Sequence, residues 1–106
     1  DYGTINILAA TDAGLTKTAQ LEALTIAVQA RTAGVISAGL ALATGQATGT
    51  GTDCLALACL PGQGRYAGLH TAVGEAIGAC VRQAVEGAAA DWVAWRDAER
   101  ARRSGG

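Results

Sequence analysis

The chain has 106 residues, nine acidic against eight basic, for a formal net charge of −1. That is one domain or part of one, with an expected radius of gyration of roughly 13 Å, and no broad basic field to hold nucleic acid or an anionic membrane. Half of the residues are hydrophobic and 25 are Ala, which excludes a disordered chain; the longest strongly apolar run, 33–43, is about half of the ~20 residues a membrane-spanning helix needs.

Asp1-Tyr2-Gly3 leads straight into a strand-like segment, with no Met and no signal-peptide pattern, so the chain is expected to be shortened or processed upstream. Ile5 to Ala10 reads as a strand buried on both faces, with Asn6 its one polar residue. Thr11-Asp12-Ala13-Gly14 reads as a turn. Thr16 is a suitable N-cap for a helix whose apolar stripe is Leu21, Leu24, Val28 and Val35, with Lys17, Gln20, Gln29 and Arg31 on the opposite face. Its end falls between Ala33 and Gly39.

A stretch of Gly, Thr, Ala, Gln and Asp follows, from Thr44 to Asp53. Cys54 to Leu60 reads as a second buried strand, closed by Pro61-Gly62. From about Thr71 a long amphipathic helix carries Val73, Ile77, Val81, Val85, Ala88, Trp92 and Trp95 on one stripe, and the two Trp are expected in the core. Arg96, Arg100, Arg102 and Arg103 are interleaved with Asp97 and Glu99, the pattern of a solvated helix end. Residues 1–95 are thus expected to form the domain, and 96–106 a charged helix end with a frayed Gly tail.

Strand, helix, strand, helix predicts an α/β fold of two layers, with long helices packed on a small sheet. Two strands rarely suffice. Further short strands are expected near 65–67 or 40–43, or an upstream half or a second subunit completes the sheet. The three cysteines form no CxxC pair and are odd in number. Cys54 and Cys59 fall on opposite strand faces and Cys80 on an apolar helix face, so each is expected as a small buried hydrophobe in a reducing, cytoplasmic compartment.

The Gly/Thr stretch fits no nucleotide-binding pattern, because Thr52-Asp53 stands where a P-loop has Lys and the loop opens into a strand, not a helix. It is either a turn-rich connector or a cradle of backbone N–H groups and hydroxyls. Asp53 either orients a His or a water, or satisfies loop N–H groups. His70, the single histidine, is either a general base or a polar residue opening the helix. Glu75 sits in the first turns of that helix, and Asn6 needs a partner if buried. One His among buried Cys residues makes a His-rich zinc site unsuitable, and no cofactor is expected.

Three blocks in order carry a resemblance: Gly3-Thr4-Ile5-Asn6, then Ala47-Thr48-Gly49-Thr50-Gly51-Thr52-Asp53, then Tyr66-Ala67-Gly68-Leu69-His70-Thr71 with Gly74-Glu75. Together with their spacing they resemble the C-terminal half of the adenosylcobinamide amidohydrolase family of corrinoid salvage. The family usually has Lys where this chain has Leu69. The resemblance implies hydrolysis of the amide that joins aminopropanol to the corrin ring, with a corrinoid as small-molecule partner. In the expected arrangement His70 takes a proton from water, Asp53 orients it, and N–H groups near Gly49, Thr50, Gly51 and Thr52 hold the oxyanion. Asn6, Tyr66, Gly68 and Glu75 line the site. Thr50 or Thr52 as a covalent nucleophile is the variant within that class; a corrinoid-binding module without turnover, or an inactive remnant, is the alternative outside it.

Overall fold

The computed structural model describes residues 4–39, 41–42 and 45–105. Gly3, Leu40, Ala43, Thr44 and Gly106, on which some of the expectations above fall, lie outside the described residues. The elements are β1 (Asn6–Leu15), α1 (Lys17–Ser37), β2 (Ala41–Leu42), β3 (Gly45–Gln46), β4 (Cys54–Pro61) and α2 (Ala72–Gly105). The mixed α/β architecture matches the order read from the sequence. β1 and β4 pair in parallel, Asn6 opposite Cys54 through Ala10 opposite Ala58. The segment 11–14, expected as a turn, continues β1 instead. The register slips between Ala10 and Gly14, and pairing resumes with Gly14 opposite Leu60 and Leu15 opposite Pro61. The short antiparallel pair β2–β3 accounts for the strand expected near 40–43; residues 65–67 form none.

Thr16 caps α1 as its sequence position demands: its hydroxyl accepts the Ala19 N–H at 3.2 Å. The helix closes with the Ala38 N–H on the Gly34 carbonyl and with Gly39 at φ 72°. Of the expected stripe Leu21, Leu24, Val28 and Val35, only Val35 belongs to the buried face of α1. That face is Ala19, Ala23, Ile26, Ala27, Ala30, Gly34 and Val35, while Leu21 is 67% exposed. Small residues win because α2 packs close. A Cβ placed on Gly34 would lie 2.9 Å from the Cβ of Val85. Glu22 stands beside Gly68, Ile26 beside Gly78 and Gly34 beside Val85, so the two helices run in the same direction.

From α2, Ile77, Val81 and Val85 enter the core. The helix has 34 residues, about 51 Å at 1.5 Å per residue, and it outruns the body. The radius of gyration is accordingly 16.2 Å and the longest dimension 59 Å, above the size expected for a sphere-like domain. The Trp pair is not core: Trp95 is 61% exposed, and half-buried Trp92 carries the Arg96 guanidinium 5.3 Å from its ring centre. Ser104 and Gly105 are helical and not frayed. Replacing Ile77 by Ala is expected to cost about 2–4 kcal/mol. Trp95→Ala should stay within ~0.5 kcal/mol, both read from urea midpoints.

One sheet face, with Ile7 and Ala9 on β1 and Leu55, Leu57 and Cys59 on β4, packs toward the helices. The other face is open: Leu8 is 72% exposed, and Asn6, Ala10, Cys54, Ala56, Ala58 and Leu60 are exposed with it. Burial of both strand faces is therefore corrected to burial of one. Asn6 needs no internal partner. All three cysteines are free, but Cys54 and Cys80 are exposed and Cys59 half-buried, so none is a fully buried hydrophobe. Cys54 and Cys59 do fall on opposite faces, as the two-residue period of a strand requires.

Candidate functional site

The Gly49–Thr52 bend lies at the N-terminal ends of β1 and β4. Its anchor is Asp53, whose carboxylate accepts the Ile5 N–H at 3.3 Å, the Thr50 N–H at 3.1 Å and the Thr50 hydroxyl, and pairs with Arg31 of α1. The Asp53 and Arg31 side chains are only 7% and 16% exposed. Burial alone pushes the Asp53 carboxyl up. The hydrogen bonds from Thr50, the Arg31 charge and the Ile5 amide outweigh it and hold the group below its ordinary 3.8. The Thr52 hydroxyl is 2.6 Å from that of Thr4. Asp53 therefore secures the bend and faces Arg31, not His70.

The His70 loop lies at the opposite, C-terminal ends of the strands. Parallel pairing extends past β4: the Gly64 N–H reaches the Gly14 carbonyl at 3.0 Å, and the Thr16 N–H the Gly64 carbonyl at 2.9 Å. The Ala67 N–H donates to the Glu22 carboxylate of α1 at 2.5 Å. Thr71 then caps α2. Its hydroxyl donates to the Gly68 carbonyl at 2.7 Å and accepts the Gly74 N–H at 3.0 Å. Ala67 and Gly68 are buried, while Tyr66, Leu69 and His70 are exposed. The Tyr66 and His70 rings lie 6.3 Å apart at 53°. Glu75 is exposed in the first turn of α2.

Glu22 and Arg31, the α1 residues that hold the two loops, are nine residues apart, about 13 Å along the axis. The bend and His70 do not meet. An open, mostly apolar groove of about 1130 Å³ runs between their ends of the fold. β1 forms one side from Thr4 to Ala13, with Asn6 along it, and α2 forms the other from Ala72 to Trp92. Gly49, Thr50 and Gly51 line it at the bend, and Ala72 and Val73 line it next to the His70 loop. Among the described residues no group of three His, Cys, Asp or Glu side chains is placed to hold a metal ion. No helix there is long and apolar enough to cross a membrane.

Sequence reasoning missed Glu22 and Arg31. The available signal was their spacing from alanines. Glu22 follows Ala19 by three, and Arg31 follows Ala27 by four, so both charges fall on the thin face that packs. By hydrophobicity the larger Leu and Val side chains claim the core and leave Arg31 to the solvated face; the structure puts it on the packed one.

The fold and its two loops define a small α/β unit with a groove between a strand and a helix. A family model described as adenosylcobinamide amidohydrolase matches residues 1–97, and the chain belongs to that family. An adenosylcobinamide amidohydrolase of Halobacterium salinarum is similar to it, 39% identical over 85 residues that cover 78% of this chain and 34% of the relative. The chain thus spans about a third of the length of this curated relative. No solved structure matches it.

Proposed function

We propose that this chain takes part in hydrolysing the aminopropanol amide of adenosylcobinamide to give adenosylcobyric acid. The observation that carries this is the family match over residues 1–97, a span that includes the bend, the groove and the His70 loop. In this reading the apolar groove takes the corrinoid. Asn6 and the bend at Gly49, Thr50 and Gly51 meet the amides at the ring's edge, with Thr52 bracing the bend through Thr4. The scissile amide lies at the C-terminal ends of the parallel strands, where open α/β sheets commonly bind ligands.

There His70 takes the proton of the attacking water while the water oxygen bonds to the amide carbon. The C–N bond then breaks, the nitrogen leaves protonated as aminopropanol, and a carboxylate remains. The oxyanion of the tetrahedral intermediate is held by the first N–H groups of α2, at Ala72 and Val73, which a helix leaves without internal acceptors. Such a donor is typically worth about 3–4 kcal/mol. Tyr66 and Glu75 flank this end, and Gly68 lets the His70 ring fold against the loop. The three free thiols suit a reducing cytoplasm.

The test is release of aminopropanol from adenosylcobinamide. His70→Ala is expected to lower turnover about 10²-fold or more, and an unchanged rate removes His70 from the chemistry. Leu69, exposed beside His70 where the resembled family usually has Lys, favours a second reading: the groove binds the corrinoid without cleaving it. A shift in the corrinoid's visible absorbance with no aminopropanol released supports that reading over the first.

A further inference from the structure

The arrangement expected from the sequence paired His70 with Asp53, and the structure puts that carboxylate at the other end of the sheet. A different carboxylate stands beside the imidazole. Glu22 is half-buried on the packed face of α1 and accepts the Ala67 N–H two residues before Leu69. A Cβ built on Gly68 would have three nearest neighbours: the His70 ring atoms Cε1 and Nδ1, each at 3.0 Å, and the Glu22 carboxyl carbon at 3.6 Å. The imidazole edge and the carboxylate thus flank one bare glycine without hydrogen-bonding each other directly, close enough for a single water to join them.

We infer that Glu22 is the positioning residue of His70, supplying the acid side chain that orients its ring. The inference rests on the reading of His70 as general base, and it extends that reading by naming the third group of the unit. Two features support it. Glu22 is fixed on a capped helix, not on a loop, and its bond to the Ala67 amide holds the same segment that carries His70. A carboxylate that turns the imidazole's Nδ1 side inward leaves Nε2 to act outward, the geometry by which an acid orients a catalytic histidine.

The experiment uses the full chain with Glu22→Gln and Gly68→Ala, and His70→Ala as reference. Gln keeps an oxygen for the Ala67 N–H but removes the charge, so a loop clamp survives and an acid partner does not. The atoms nearest to an added carbon at 68 are side-chain atoms of His70 and Glu22, so the ring is expected to swing out while the fold holds. Because His70 is the single histidine, its Cε1–H signal reports the pairing without any need for turnover. Expected for Glu22→Gln are a wild-type melting curve, a moved imidazole signal at fixed pH, and kcat down about a hundredfold with KM little changed. Gly68→Ala moves the same signal. If the Glu22→Gln imidazole signal superposes on the wild-type one, the pairing is overturned, whatever the activity. A moved signal with unchanged kcat also overturns the positioning role. If His70→Ala retains turnover while Glu22→Gln moves the signal, the general-base reading fails and the contact stands.

Discussion

Asp53→Asn is expected to lower the stability of the chain at pH 7 by about 2–4 kcal/mol. The substitution keeps the shape of the side chain but leaves the Arg31 guanidinium with no compensating charge in a site where it is 16% exposed. Breaking one side of a buried pair typically costs about 3–5 kcal/mol, and the residual exposure of Arg31 brings that down. The loss extends beyond the ion pair, because the same carboxylate holds Thr50 and the Ile5 amide. The pH dependence follows from the folded carboxyl lying below its ordinary 3.8. A depressed value means that the stabilisation is fully present above that ordinary value and is lost as pH falls through the lower folded one. Wild-type and variant urea midpoints should therefore differ most near neutrality and converge in acid once the pH falls below the lowered folded value. A constant gap across that range would show that Asp53 contributes by shape and not by charge.

The second large effect is expected at Gly74, in the first turn of α2. Alanine is the better helix former by about 1 kcal/mol, so propensity alone predicts a gain. Packing reverses the sign. A Cβ there would overlap the carbonyl oxygens of Gly68 and Ala67, which are backbone and not a movable side-chain tip. The loop would have to lift off the helix, giving up the Thr71 cap and the contact that seats His70. Gly74→Ala is expected to lose about 2–3 kcal/mol and to expose the 66–70 amides to hydrogen exchange. Gly87→Ala, on the same helix with no atom near its added carbon, is the control, expected to gain up to about 1 kcal/mol. If both substitutions stabilise, the loop does not rest on α2 as described.

The contrast between those two glycines shows what one sequence can and cannot convey. Local chemistry was legible. Thr16 announced its cap, the order of strands and helices followed from hydrophobic period, and the blocks around Asp53 and His70 announced their family. Packing partners were not. The Leu21–Val28 stripe outweighs Ala19, Ala23 and Ala27 in hydrophobicity, yet close approach of α2 selects the thinner face. The run at 11–14 has turn composition, but pairing with β4 resumes at its last residue, Gly14, and keeps the chain extended. Trp92 and Trp95 continue the α2 stripe, but the helix outruns the body there and leaves Trp92 half-buried and Trp95 exposed. The same limit explains the site. Spacing along the chain says that Asp53, His70 and the Gly/Thr bend belong to one family pattern, but parallel strands send the ends of β1 in opposite directions, so two of those groups face different helix residues.

The central strand pair has a consequence for the behaviour of the polypeptide itself. Among the described residues β1 and β4 form a two-stranded sheet, extended past β4 only by the Leu15–Gly64 bridge, so each has a lateral margin that no further strand pairs with. The outward residues beside those margins are largely leucine and alanine, with no lysine to repel an incoming extended chain. An extended segment from another part of a longer polypeptide, or from a second molecule, would therefore find a ready place to add as a third strand.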